Sequence, residues 1–272
     1  MKTYIFLFAT ALAAQTTPVE DPKEIIRRAF LKDADILNAT RDYTYWQRRV
    51  VTELEKNGDK KVTKDETEEI IVLYGRPYNR LIRKDGHELS ARDAAREEQK
   101  LDKEAAKRKK DTGKASARED KEAAERRRAI EEVSDAYMFQ LAGVEPINNR
   151  ESWIIDATPR PGFKPRSRQA AFYPKLSGRL WIDRAGGRLV KVKADVNEKI
   201  SFGWILLQLL PGAIFEHERI LVDDQVWLPK RDLAFGSAKI GGIKTIRAEV
   251  ETTYSNYRRF KVESTIRPAT EQ

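Results

Sequence analysis

At 272 residues with 40% hydrophobic content the chain can bury a sizeable core, and its 35% of charged residues require that some segment be solvated rather than packed. The absence of cysteine excludes disulfides, iron–sulfur clusters, thiolate metal sites, thiol nucleophiles and a lipid-modified N-terminal Cys. The formal charge of +9 comes from 52 basic residues interleaved with 43 acidic ones. No basic stripe or arm gathers that charge, so nucleic acid is not an expected partner, and weak peripheral attraction to anionic lipid headgroups is.

Lys2 precedes the apolar run Tyr4–Ala14, which is too short to cross a bilayer, and Ala11-Leu12-Ala13 offers the small residues of a cleavage site. Residues 1–13 therefore read as a secretory signal peptide; the competing reading is an N-terminal core strand. No later stretch approaches ~18 apolar residues. The expectation is an exported, periplasmic mature chain, 14–272, without a transmembrane segment and organised as one domain.

Asp21 and Pro22 make a helix start, and Ile25, Ile26, Ala29, Phe30, Ala34 and Leu37 fall on one face of an amphipathic helix running to Asn38. From Tyr43 the period changes to two. Tyr43–Glu55 and Glu66–Tyr74 flank Asn57-Gly58, a pair that accepts positive φ, and so predict a hairpin; Tyr78–Arg83 adds a third strand.

Residues 91–135 are dominated by Ala, Glu, Lys and Arg, broken at Asp111-Thr112-Gly113-Lys114. Acids and bases four apart, such as Glu104 and Arg108, support exposed helix, and apolar residues are sparse, so the segment reads as a charged, solvated helical insertion. Strands resume at Tyr137. Those predicted are Tyr137–Glu145, Ser152–Thr158, Gln169–Pro174, Arg179–Asp183, Arg188–Val196, Ser201–Leu209, Ile214–Leu221, Trp227–Phe235 and Lys244–Tyr257, separated by turn residues. The fold class is α+β, with one large antiparallel sheet and discontinuous helices.

Catalytic signatures are missing. The sequence holds no nucleophile elbow, no zinc-protease helix motif, no phosphate loop and no dinucleotide fingerprint, and its two histidines are His87 beside a turn and His217 within Glu216-His217-Glu218. Adjacent strand residues point to opposite faces, so His217 shares no face with the two glutamates, and a polar outward strand is the simpler reading. Neither enzyme chemistry nor a cofactor is expected.

The conspicuous feature is apolar: Phe202-Gly203-Trp204-Ile205-Leu206-Leu207-Gln208-Leu209-Leu210, then Phe215. As a strand it is apolar on both faces and must be buried on both or line a cavity with one. A short buried helix over Trp204–Leu210 fits nearly as well, and ordinary core competes evenly with cavity lining.

Several phrases converge: the helix that follows the apolar leader, the strand Tyr43-Thr44-Tyr45-Trp46, Gly178-Arg179-Leu180-Trp181-Ile182-Asp183, Val226-Trp227-Leu228-Pro229, and Tyr254-Ser255-Asn256-Tyr257. Together they resemble the LolA/LolB outer-membrane lipoprotein-sorting superfamily, whose relatives include the MucB/RseB sensor domains. The resemblance covers residues 24–260. It implies an incomplete antiparallel barrel lidded by helices, with acyl chains held in the apolar hollow between them. On that plan Trp46, Trp181, Phe202, Trp204, Leu206, Phe215 and Trp227 are the candidate lining residues, and the partner is lipid or an acylated lipoprotein. The alternative it implies is an envelope sensor or scaffold that binds a protein partner. The charged insertion is longer and more polar than such a lid requires.

Overall fold

The computed structural model describes residues 20–33, 40–110, 114–202 and 206–259. The apolar leader and Trp204 lie outside them. Within them the chain is 54% strand and 25% helix, forming a curved antiparallel sheet that does not close into a barrel.

Helix α1 (Pro22–Asp33) begins where the sequence places it, with the Asp21 side chain accepting the Lys23 N–H at 3.0 Å. It buries Ile25, Ile26 and Ala29. Its last turn is tied down from outside: Lys32 donates to the Gly186 carbonyl at 2.7 Å, and Arg188 donates to the carbonyl of Lys32.

Strands β1 (Tyr43–Leu54), β2 (Lys60–Leu73) and β3 (Arg76–Lys84) form the meander, with Gly58 at φ 92 in the first turn. A two-residue strand β4 (His87–Glu88) ends it. Helix α2 (Ala91–Lys110) follows, capped by Ser90, whose Oγ accepts the Asp93 N–H at 3.2 Å and donates to the Asp93 carboxylate at 2.8 Å. One arginine fastens it. Arg108 donates to the carbonyls of Leu73, Arg76 and Pro77 and lies 5.7 Å from the centre of the Tyr78 ring.

Helix α3 (Lys114–Ala136) corrects the solvated reading of the insertion. Its C-terminal half buries Ala129, Glu132, Val133 and Ala136; Glu132 accepts the Arg166 N–H at 2.7 Å, and the Tyr173 hydroxyl donates to the Ala129 carbonyl at 2.9 Å. Few apolar residues suffice, because small alanines allow close approach to α1 and each buried polar group finds a partner.

The remaining strands are β5 (Tyr137–Ile147), β6 (Arg150–Pro159), β7 (Leu176–Asp183), β8 (Leu189–Val196), β9 (Ile200–Phe202), β10 (Leu207–Leu209), β11 (Ile214–Val222), β12 (Val226–Ile240) and β13 (Lys244–Arg259). The order across the sheet is β4-β3-β2-β1-β13-β12-β11-β8-β7-β6-β5, with β10 beside the far end of β12 and β9 beside β10. All pairings are antiparallel. The chain thus leaves the sheet at one edge and, through α2 and α3, re-enters it at the other.

Two strand expectations fail. Gln169–Pro174 is not extended: Ala170–Lys175 forms a 3-10 helix. Pro174 has no N–H for a ladder, and the Ser167 hydroxyl captures the Ala170 N–H at 3.2 Å. Ser201–Leu209 is not one strand either, because β9 and β10 fold back on each other with Phe202 opposite Leu207.

The main core lies between α1, the end of α3 and one face of β5–β8, gathering Ile26, Val133, Tyr137, Ile155, Leu180 and Ile182. Burying an isoleucine side chain stabilises by roughly 1.5–3 kcal/mol. Among the described residues no helix is long and apolar enough to cross a membrane.

Candidate functional site

Register carries the helix-covered face onward past the helices. Leu180 in the core stands beside Val192, Val192 beside His217, His217 beside Asp232, Asp232 beside Thr252, and Thr252 beside Arg49. One residue pair along, the same face shows Ala194, Phe215, Ala234, Val250 and Val51. The reverse face of these strands is charged, with Lys191, Lys193, Glu216, Glu218, Arg231 and Glu251. A face turned to water would be expected to carry such charge on both sides.

Instead the helix-facing side carries an apolar patch, and Val192, Ala194, Phe215, Ala234 and Val250 line a hollow of about 280 Å³ together with Leu233 and the polar Arg49, Glu216, His217, Asp232 and Thr252. Because alanine and valine fill little height, they leave room above the strands. The hollow continues the helix-covered face as a trough.

A hydrogen-bonded chain runs along one side of the hollow. The Tyr254 hydroxyl donates to Asp232 at 2.6 Å, the other Asp232 oxygen lies 2.5 Å from His217 Nδ1, Arg219 Nε donates to His217 Nε2 at 3.0 Å, and Arg219 pairs with Asp33 at 2.7 Å. Since Arg219 can only donate, His217 Nε2 accepts and its proton sits on Nδ1. Burial opposes ionisation of Asp232, but the hydrogen bonds from His217 and Tyr254 outweigh it and hold the carboxyl below the usual range. Burial, with the bond to Asp232, raises the Tyr254 hydroxyl. Desolvation raises Asp33 at the end of α1, against the pull of Arg219. Both imidazole nitrogens are occupied and the phenol is held protonated, so the chain braces α1 against the sheet and leaves no free base.

Of the seven residues singled out from the sequence, the six that lie among the described residues do not gather into one site. Phe215 lines the hollow. Trp181 and Trp227 are buried on the reverse face in a cluster with Val190, where Arg150 stacks 5.8 Å from the Trp227 ring centre and makes a two-point ion pair with the buried Asp183. That accounts structurally for the Leu-Trp-Ile-Asp and Trp-Leu-Pro phrases. Trp46 also turns to the reverse face, lining with Arg80, Ile82, Ala94 and Glu97 a separate and more polar hollow of about 330 Å³ under α2. Phe202 and Leu206 are exposed at a hairpin end, and Trp204 lies outside the described residues.

His217 departs from the outward reading, since it lines the hollow, which Glu216 also borders and Glu218 does not. Among the described residues no group of His, Asp and Glu could hold a metal ion. The residues that sequence reasoning missed are Val192, Ala194, Ala234, Val250 and Arg49. Their signal was faint: Lys191-Val192-Lys193-Ala194 and Arg231-Asp232-Leu233-Ala234 alternate with small residues on one side.

These features define a class of protein: an open antiparallel half-barrel with an apolar trough continuing the helix-covered face. Several solved structures are similar to the chain over most of its length. A LolA superfamily protein from Nitrosomonas europaea is 10% identical, with 88% of this chain and 93% of that chain covered at a TM-score of 0.32. A putative outer membrane lipoprotein-sorting protein domain from Vibrio parahaemolyticus is 9% identical, with 88% and 95% covered and a TM-score of 0.30. The MucA/MucB complex of Pseudomonas aeruginosa matches at 11% identity, with 89% and 100% covered and a TM-score of 0.23. No protein-family model matches the chain, and no curated protein does.

Proposed function

We propose that the chain is an exported, non-catalytic binding or carrier protein for acyl chains of lipid or lipoprotein, working as one unit over residues 14–272 and holding its cargo in the trough. The observation that carries this reading is the patch of Val192, Ala194, Phe215, Ala234 and Val250 on one side of strands whose other side is mostly charged, with about 280 Å³ of space over that patch. Each methylene taken from water contributes about 0.8 kcal/mol, so half of a ~16-carbon chain supplies roughly 6 kcal/mol before ordering costs. Arg49, exposed at the rim, offers a cation to an anionic end group.

The test uses neighbours on one strand. After delipidation, a fluorescent fatty-acid probe should bind saturably; Ala194→Glu should lower its affinity at least tenfold by setting an ionised carboxylate in the hollow, and Lys193→Glu behind the sheet should leave it unchanged. Equal binding by both variants would reject the trough. No binding by the unmodified chain would favour a sensor or scaffold that recognises a protein.

A further inference from the structure

The apolar track does not stop at the hollow. Along β12 the trough-facing positions continue from Ala234 through Gly236 and Ala238 to Ile240, and the pairing carries them sideways, Ala238 beside Leu209 and Ile200, then Ile240 beside Leu207 and Phe202. Ala213 fills the place over Gly236, where an added Cβ would stand 2.5 Å from its own. Phe215, Leu209 and Phe172 join the cluster around Val196, Ile200 and Ala213, and Phe172 lies 5.2 Å from the Phe202 ring.

The track ends in the open. Ile243 in the β12–β13 turn is 89% exposed and Leu206 in the β9–β10 turn 68%, with Phe202, Leu207 and Ile240 also exposed beside them. The two turns are bonded to each other, Gly241 N–H donating to the Leu206 carbonyl at 3.0 Å. Five exposed large apolar side chains at one end of a sheet need a reason. Around them stand Lys175, Lys199, Lys239 and Lys244, none of which has an acid within ion-pair distance among the described residues, and Lys175 reaches the Lys199 carbonyl at 3.3 Å.

We propose that this end of the sheet docks on an anionic bilayer surface, the exposed side chains of Phe202, Leu206, Leu207, Ile240 and Ile243 entering the headgroup boundary while the four lysines meet the lipid charge. Apolar tips with a basic collar match that boundary, where hydrophobic burial and attraction to anionic lipid add. A peptide or protein groove would require a concave apolar site, and these side chains project. The docking end is the one towards which the trough runs, although the assignment stands independently of what the trough holds.

The chain has no cysteine, so a single dye can be placed cleanly. The full chain carrying Ile243→Cys is labelled with an environment-sensitive fluorophore and mixed with phosphatidylcholine vesicles with or without 30 mol% (~) phosphatidylglycerol. The expected result is a blue shift with the anionic vesicles alone, weakened by salt. In flotation assays Leu206→Asp with Ile243→Asp, both at exposed positions, should lower vesicle association at least tenfold against the unmodified chain bearing the same N-terminal segment. Association without a shift at position 243, association unaffected by the double variant, or no association at all would each overturn the proposal. So would a shift produced by a protein partner and not by vesicles.

Discussion

From β5 to β8 the inner face of the sheet lies under α1 and the end of α3, whereas from Val192 and Ala194 on β8 across to β1 the same face continues with Phe215, Ala234 and Val250 and forms a hollow. The covered half is built of large side chains such as Ile26, Ile155 and Leu180, which meet a second layer; the open half is built of small ones, which leave a void. On the proposed function, stability and binding occupy neighbouring stretches of one surface. Changes in the first half should act on folding, and changes in the second on what the protein holds.

The strongest challenge to this division is removal of Ala91–Ala136 in favour of a short Gly/Ser linker. Those residues include Ala129, Val133 and Ala136 of the core, and they connect opposite edges of an eleven-strand path, ten spacings of about 4.8 Å if flat. Cooperative unfolding should be lost. A sharp urea transition in the deleted chain would mean that the covered half does not depend on its helices.

A smaller effect sharpens the same point. Ile26→Ala empties a site that is wholly buried in the covered half, and should cost about 2–5 kcal/mol by urea denaturation. Ala194→Glu in the open half should leave most of that stability in place. Similar losses in both would erase the distinction.

The smallest effect concerns pH. Asp232, half-exposed beside the hollow, has a folded value held below its ordinary one, so it adds stability above about pH 4 that is lost as pH falls through the lowered value. Asp232→Asn should flatten the acid limb of urea midpoint against pH, modestly, because solvent screens the group. An unchanged limb would show that the His217 and Tyr254 bonds contribute nothing to it.

Where local chemistry decides, the sequence was legible. Asp21-Pro22 starts a helix and Asn57-Gly58 closes a hairpin because each carries its own backbone geometry. Which face a residue takes was harder to read: Trp181 lies behind the sheet because its neighbours Leu180 and Ile182 face the core, and a register shift at Glu218/Arg219 slips the alternation on the way to Trp227. The candidate site was hidden for a further reason. Reasoning from large apolar groups finds what fills space, and this hollow is lined largely by alanines and valines that leave space open. Only Phe215 satisfied both criteria.

The pairing of β1 with β13 has a consequence for the order of events in folding. Thr44 meets Arg258 across a separation of 214 residues, so the meander β1–β3 has no neighbour until the last strand has been made. At roughly 5–20 residues per second of synthesis, that interval is on the order of 10–40 s, during which one edge of β1 stands unpaired. Arg48, Arg49, Glu66, Glu68 and Glu69 crowd this hairpin with charge, the usual guard against edge-to-edge aggregation. The meander is thus written to wait, and a fold whose first and last strands must find each other assembles late and all at once rather than as the chain emerges.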